Sequence, residues 1–239
     1  MPNTATADRI INAACQELGL PPVSLNASAN DAIGYQALGL LNALGDELCR
    51  VQDWQFLERT MNFVGDGITS TFPLPDDYGR QVNQTEWSVS QQRPLMGPDS
   101  PQVWSWSQYG IVSVGVFFRY RIVDNRYDIF PLPGLGEEFA LYYITKNWVQ
   151  DGLNPLVYKD QVTGPNDVPV FDRRVMIAGL KVKLWAQKGF DTTVLQREFD
   201  NMLLAEKGQN QGARVISLTG GNGHLLINWQ NISDTGYGL

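Results

Sequence analysis

Apolar residues recur at helical spacing near both ends of the chain and at strand spacing between them. From Thr4 to Leu18, the residues Ile10, Ala14 and Leu18 fall at i+4 with Ile11 and Cys15 beside them, which predicts a first helix. Asp8 stands in its first turn, where the helix dipole favours negative charge. Gly19 can end it, and Pro21 and Pro22 bar its continuation. A second helix is expected from about Asn30 to Gln52, capped by Ser28 or Asn30 with Asp31 following. Ile33, Ala37, Leu40, Leu44, Leu48 and Val51 form one stripe in steps of four and three. Gly34, Gly39 and Gly45 each cost such a helix about 1 kcal/mol against alanine, so they point to a close neighbour or a bend.

From about Thr60 to Trp148 the period shortens, and Gly65, Gly67, Pro73, Pro75, Pro94, Gly97, Pro98 and Pro101 leave no room for a long helix. Val112, Val114, Val116 and Phe118 alternate with Ser113, Gly115 and Phe117, and Arg119 to Ile122 continue that strand. Asp124-Asn125 then tolerates positive φ and Tyr127 to Phe130 returns, which predicts a hairpin. Phe139 to Ile144 reads as a further strand, and Val82 to Val89 as another ending around Trp87. In Trp104-Ser105-Trp106 an extended chain would put two indoles on one face.

Helical period resumes after Pro169. Asp172 caps a helix from Arg173 to Lys188 with Met176, Leu180 and Leu184 on one face, and Gly189 stops it. Asp191 or Thr192 caps a fourth helix with Leu195, Phe199, Met202 and Leu203 inward and Gly208 as its stop. The expected fold class is α+β: N- and C-terminal helical hairpins form a four-helix bundle, a mainly antiparallel β domain is inserted between them, and an extended tail follows. The expected boundaries are 1–59 and 170–209 for the bundle, 60–169 for the β domain and 210–239 for the tail. The tail holds Gly212, Gly220, Gly221, Gly223, Gly236 and Gly238, too many for a core of its own. It also holds two strand-like apolar runs, Val215 to Leu218 and Leu225 to Trp229, which are expected to pair with a partner.

Composition narrows the chemistry. The 239 residues carry 18 Lys+Arg against 25 Asp+Glu, a net charge of −7, which argues against tight phosphate-backbone binding. No apolar run approaches the roughly 18–20 residues of a membrane span, and the start lacks the basic and apolar regions of a signal peptide. A single histidine, His224, rules out any two-histidine metal site, and Cys15 and Cys49 have no metal-ligand spacing, so they read as small buried thiols. No catalytic, cofactor or metal residue is predicted. GxxxxGK[ST], GxGxxG, HExxH and GxSxG are all missing from the sequence. Asp76-Asp77 and Glu137-Glu138 are the paired carboxylates left for acid–base work, but neighbouring strand residues point to opposite faces and loop carboxylates mostly cap turns. Aromatics are plentiful, with 7 Trp, 9 Tyr and 10 Phe, and this suits a packed β domain or a large protein interface.

Phe72-Pro-Leu-Pro-Asp-Asp-Tyr78, then Trp87, then Pro94-Leu-Met-Gly-Pro-Asp-Ser-Pro-Gln-Val-Trp104 resemble the head-to-tail adaptor proteins of short-tailed bacteriophages, also called tubular tail A or tail accessory proteins. The match continues in Phe118-Arg-Tyr-Arg-Ile122, Tyr127-Asp-Ile-Phe-Pro-Leu-Pro133 and Tyr142-Tyr-Ile-Thr-Lys-Asn-Trp148. Asp31 to Trp54 resembles the family's long second helix and Arg173 to Leu204 its closing hairpin. The resemblance implies a structural protein without enzymatic activity or cofactor. Family members form a ring, commonly of about twelve copies, under the portal protein. That ring extends the DNA channel and carries the tail nozzle protein and often the tail fibres. Genomic DNA would pass without sequence-specific binding, no membrane is involved, and the site is the virion's head-to-tail junction after assembly in the host cytoplasm. Val215, Ile216, Leu218, Leu225, Leu226, Ile227 and Trp229 are the expected portal or subunit docking residues, and Trp104, Trp106, Phe117, Tyr120 and Tyr127 the expected intersubunit or β-domain anchors. Two alternatives stay open: a tail-associated peptidoglycan hydrolase using the paired carboxylates, and a carbohydrate-binding tail component using Trp104 and Trp106.

Overall fold

A computed structural model describes residues 5–23, 25, 32–110 and 117–210, and within them the chain is mixed α+β with antiparallel sheets. Helix α1 (Ala7–Glu17) starts on Thr6, whose hydroxyl accepts from the Arg9 amide, and stops before Gly19 at φ +69°. The proposed caps of the second helix, Ser28, Asn30 and Asp31, lie outside the described residues. Helix α2 (Ala32–Val51) buries Gly34, Ala37, Leu41, Leu44, Gly45 and Leu48. The expected stripe is thus turned: Ile33 and Leu40 are only half-buried and Val51 is exposed. Gly45 gives the reason, because a Cβ there would stand 2.1 Å from the Trp148 indole. The missing side chain makes a notch for the ring, and the helix turns that notch inward.

Helix α3 (Pro101–Tyr109) is followed much later by α4 (Arg173–Gln187) and α5 (Thr193–Asn210). Asp172 caps α4 by accepting from the Arg174 and Val175 amides, and Gly189 at φ +75° follows it. Helix α4 is buried on most sides and touches α1, α2 and α5. Its Gly179 lies between Leu44 of α2 and Phe199 of α5, where a Cβ would approach within 2.7 Å and 2.9 Å. Helix α5 packs through half-buried Phe199, Met202 and Leu203, and it runs past Gly208 to Asn210. One glycine costs a helix only about 1 kcal/mol, and Gly208 is not the expected stop.

Strand β1 (Glu58–Val64) pairs with the long β8 (Glu138–Thr145), whose other edge carries β3 (Tyr78–Gln81) and β4 (Trp87–Ser88). The two-residue β5 (Arg93–Pro94) closes that sheet. Val82 to Val89 is therefore not one strand; Gln84, at φ +66°, breaks the extended run. A second sheet orders β2 (Thr71–Pro73), β7 (Arg126–Phe130) and β6 (Arg119–Val123). Asp124 and Asn125, at φ +52° and +59°, make the predicted hairpin turn. Residues 111–116, where that strand was expected to begin, lie outside the described residues.

The two sheets face each other across an aromatic core. Phe63 and Phe72 ring centroids lie 4.5 Å apart, Phe118 and Phe139 5.1 Å, and Tyr120 stacks on Tyr127 at 4.7 Å. Strand β8 serves two cores, with Phe139, Leu141 and Tyr143 in the aromatic one and Ile144 in the helical one. Trp148, Val149, Val162 and Phe171 follow Ile144 into the helical core. The intervening chain forms a small third sheet from β9 (Val149–Gln150), β10 (Tyr158–Lys159) and β11 (Val168–Pro169). Its Asp167 carbonyl accepts from Ala7 and its Pro165 carbonyl from Asp8, which seats the start of α1 on this loop.

Candidate functional site

The five aromatic anchors do not form one surface. Trp104, Tyr120 and Tyr127 are buried, whereas Trp106 is 62% exposed and Phe117 39% exposed. The expectation of an extended Trp104–Trp106 segment is corrected by α3. Ser100 accepts from the Val103 amide, and Pro101 fills the first helical position, where no N–H is needed. Residues two apart on a helix point to nearly opposite sides. Trp104 packs against the outer face of β6 and β7, edge-on to Phe130 at 6.2 Å, with the Arg121 guanidinium 4.5 Å over its ring. Asp128 holds Arg121 in place at 3.1 Å. Trp106 points out, and three residues on, along the same helix face, Tyr109 is 85% exposed. Tyr109 was missed in the sequence, although Ser100-Pro101 is a helix-start signal.

One member of each carboxylate pair, Asp77 and Glu137, is hydrogen-bonded within the fold. Asp77 accepts from the Tyr143 hydroxyl at 3.0 Å and the Thr145 hydroxyl at 2.9 Å. Burial, and then Asp77, push the Tyr143 phenol up to about 12. Glu137 accepts from the Gly134 amide at 2.8 Å and from Gln91. Asp77 sits at the Thr145 end of β8 and Glu137 just before its other end, which at about 3.3 Å per residue separates them by more than about 20 Å. The two pairs cannot flank one glycosidic bond, which needs carboxyls within about 10 Å.

A cleft of about 370 Å³ opens between the end of α2 and the β3–β8 pair, lined by Asp46, Cys49, Arg50, Arg80, Lys146 and Asp160. Arg80 closes α2 by donating to the Cys49 carbonyl at 2.7 Å and to the Gln52 carbonyl, and it pairs with Asp53 at 2.8 Å. Burial, reinforced by Asp46, pushes the Cys49 thiol up to about 12, so it carries no thiolate near neutral pH. Among the described residues no group of three His, Cys, Asp or Glu converges as metal ligands, and no helix is long and apolar enough to cross a membrane.

Three buried charges were not singled out in the sequence. Glu86 lies in the aromatic core, accepts from Gln81, and burial raises its carboxyl above the ordinary range. Gln81 also donates to the Tyr120 hydroxyl at 3.0 Å. Lys181 of α4 pairs with Glu17 of α1 at 2.8 Å and Glu198 of α5 at 3.1 Å. Asp167 pairs with Lys159 at 2.8 Å and accepts from the amides of Gly152, Thr163 and Gly164. Burial alone would raise its carboxyl, but the lysine and these amides hold it below the usual range. Lys181 is held by partners on two other helices, whereas Asp167 takes most of its partners from the eight residues before it, and helical or strand spacing singles out none of the three.

The docking residues Val215, Ile216, Leu218, Leu225, Leu226, Ile227 and Trp229, and also His224, lie outside the described residues. No protein-family model matches this chain, and no curated protein sequence matches it significantly.

Proposed function

We propose that this chain is a structural head-to-tail adaptor of a phage virion, forming a ring under the portal that extends the DNA channel and carries the nozzle and tail fibres. The observation that carries this reading is the pair of large aromatics that α3 presents to solvent. Ser100 and Pro101 fix the helix, Trp104 ties it to the β core, and Trp106 and Tyr109 stand outward from that rigid mount. Preorganised exposed aromatics suit a protein interface, where Trp and Tyr dominate binding energy. The stretches that carry the resemblance support it as well, since they supply Phe72, Tyr120, Tyr127, Tyr143 and Trp148 to the two cores.

In this reading α1, α2, α4 and α5 act as one four-helix bundle, a rigid spacer between portal and tail. The tail from residue 210 to 239 docks on the portal or an adjacent subunit, with Trp229 as main anchor. An acidic chain lining a channel repels phosphate and lets DNA slide. The protein is then a monomer alone and a ring only on its portal, because rings formed off the head would end assembly there. Mass measurement of the pure chain, and of the chain mixed with portal, tests this. The expected result is a monomer that becomes a ring of about twelve copies on the portal. A stable ring from the pure chain, or no binding to portal, would sink it.

A further inference from the structure

Among the described residues, strand β1 is the long unpaired edge. The sheet order places it outermost, next to β8 alone. The Gly65 amide donates to the Glu137 carbonyl at 2.8 Å, which sets the alternation of the ladder. Arg59, Met61 and Phe63 therefore exchange hydrogen bonds with Tyr143, Leu141 and Phe139. The backbone groups of Thr60, Asn62 and Val64 point the other way, and no described backbone group bonds them. On the far side of β8 the same alternation turns the Glu138 and Tyr142 carbonyls toward Val89 and Val82.

Other edges among the described residues are covered, short or irregular, and β3, four residues long, has a break in register between Tyr78 and Arg80. The segment at Met96 covers β6, with Met96 accepting from Tyr120 and donating to Phe118. Strand β2 is three residues long and ends in Pro73, and β5, β10 and β11 have two residues each. Natural edges are blunted by proline, bulges, inward charges or brevity. Strand β1, Glu-Arg-Thr-Met-Asn-Phe-Val, has seven residues, no proline and an unbroken register. Met61 beside its edge is only partly buried against the aromatic core, so the sheet face is also unfinished there.

Independently of the function proposed above, we propose that the free edge of β1 is a strand-acceptor site, and that in the free chain its occupant is the chain's own run Leu225–Trp229. The position where the tail begins favours this occupant. Helices α4 and α5 are antiparallel: Gly179 faces Phe199 and Lys181 pairs with Glu198, so the end of α5 returns to Asp172. The neighbouring Phe171 packs on Trp54 and Phe56 at 5.7 Å and 5.5 Å, and β1 starts two residues later at Glu58. Helix α5 therefore ends at the same end of the molecule where β1 begins. Fifteen residues from Asn210 to Leu225 span up to about 50 Å, enough to pass β1 and return antiparallel to it. In that strand Leu225, Ile227 and Trp229 share one face, which continues the apolar face over Met61 and Phe63. Parking the segment there covers the edge that two free copies would otherwise share.

Residue-resolved amide exchange of the full chain, of a chain ending at Asn210, and of full-length Ile227→Pro tests the site. The expected result is exchange at Thr60, Asn62 and Val64 about a hundredfold slower in the full chain than in either variant, and unchanged on dilution. Met61 and Phe63, bonded to β8, stay protected in all three, which reports that each chain is folded. Equal exchange at Thr60, Asn62 and Val64 in the full chain and Ile227→Pro overturns the proposal. Protection that fades on dilution gives the edge to a second copy and overturns the own-chain assignment.

Discussion

Gly45 and Glu86 show how a single position can oppose its local preference. In an isolated helix Gly45→Ala would gain about 1 kcal/mol. Here the new Cβ meets the Trp148 indole at 2.1 Å, inside a core where an overpacked methyl costs about 1–3 kcal/mol. Urea unfolding of Gly45→Ala should show a net loss, and a gain would mean that Trp148 can move aside. Glu86 concerns charge. Its folded carboxyl is raised above the ordinary 4.5 by burial. Below 4.5 the folded and unfolded states both hold the proton. Above it the unfolded chain ionises first, so stability falls as pH rises toward the folded value. Glu86→Gln should remove that fall and melt at a higher temperature than the parent near about pH 8. Parallel pH profiles for the two proteins would place the cause elsewhere.

At the scale of the element, α3 separates two tryptophans that lie two apart in sequence. Trp104→Ala removes a buried ring between Phe130 and Arg121, and its expected cost is about 3–5 kcal/mol. Trp106→Ala removes an exposed ring and should stay within about 0.5 kcal/mol of the parent in urea unfolding. In the portal-binding assay the order reverses, with folded Trp106→Ala losing occupancy. If Trp106→Ala binds portal as the parent does, this face is not the interface. The N-terminal cap of α3 was legible in Ser100-Pro101, but the alternation from Val112 to Phe118 that follows it in the chain reads as extended, and a nine-residue helix offers little period to set against that.

At the scale of the molecule, the third sheet joins the insertion to the helices through Asp167. Its carboxylate binds Lys159 and three amides while its own carbonyl takes the Ala7 amide. Because the folded carboxyl is held below the ordinary 3.8, the stability it supplies is present above that value and is lost as pH falls through the folded value. Asp167→Asn leaves Lys159 with Asp151 as its one carboxylate and should cost about 2–4 kcal/mol at neutral pH. Its acid-unfolding curve should also be shallower than the parent's. Unchanged stability in thermal melts would show that the loop holds α1 without this ion pair.

Sequence by itself determined the features that close within a few residues. Asp172 and Ser100 act on amides two or three positions away, Gly19 and Gly189 need only their own positive φ, and Asp124-Asn125 turns a hairpin in place. The helical period around Leu44 and Leu180, and the strand at Phe139, were legible for the same reason: each repeats its signal along one segment. The aromatic anchors were legible as residues, but their placement was not. Tertiary structure alone decided which side of α2 faces inward, because Trp148 lies far along the chain from Gly45. It alone paired β1 with β8 and buried Glu86 and Lys181 among partners from separate elements. Such contacts gain their energy only when distant segments meet, and no local spacing records which segments those are.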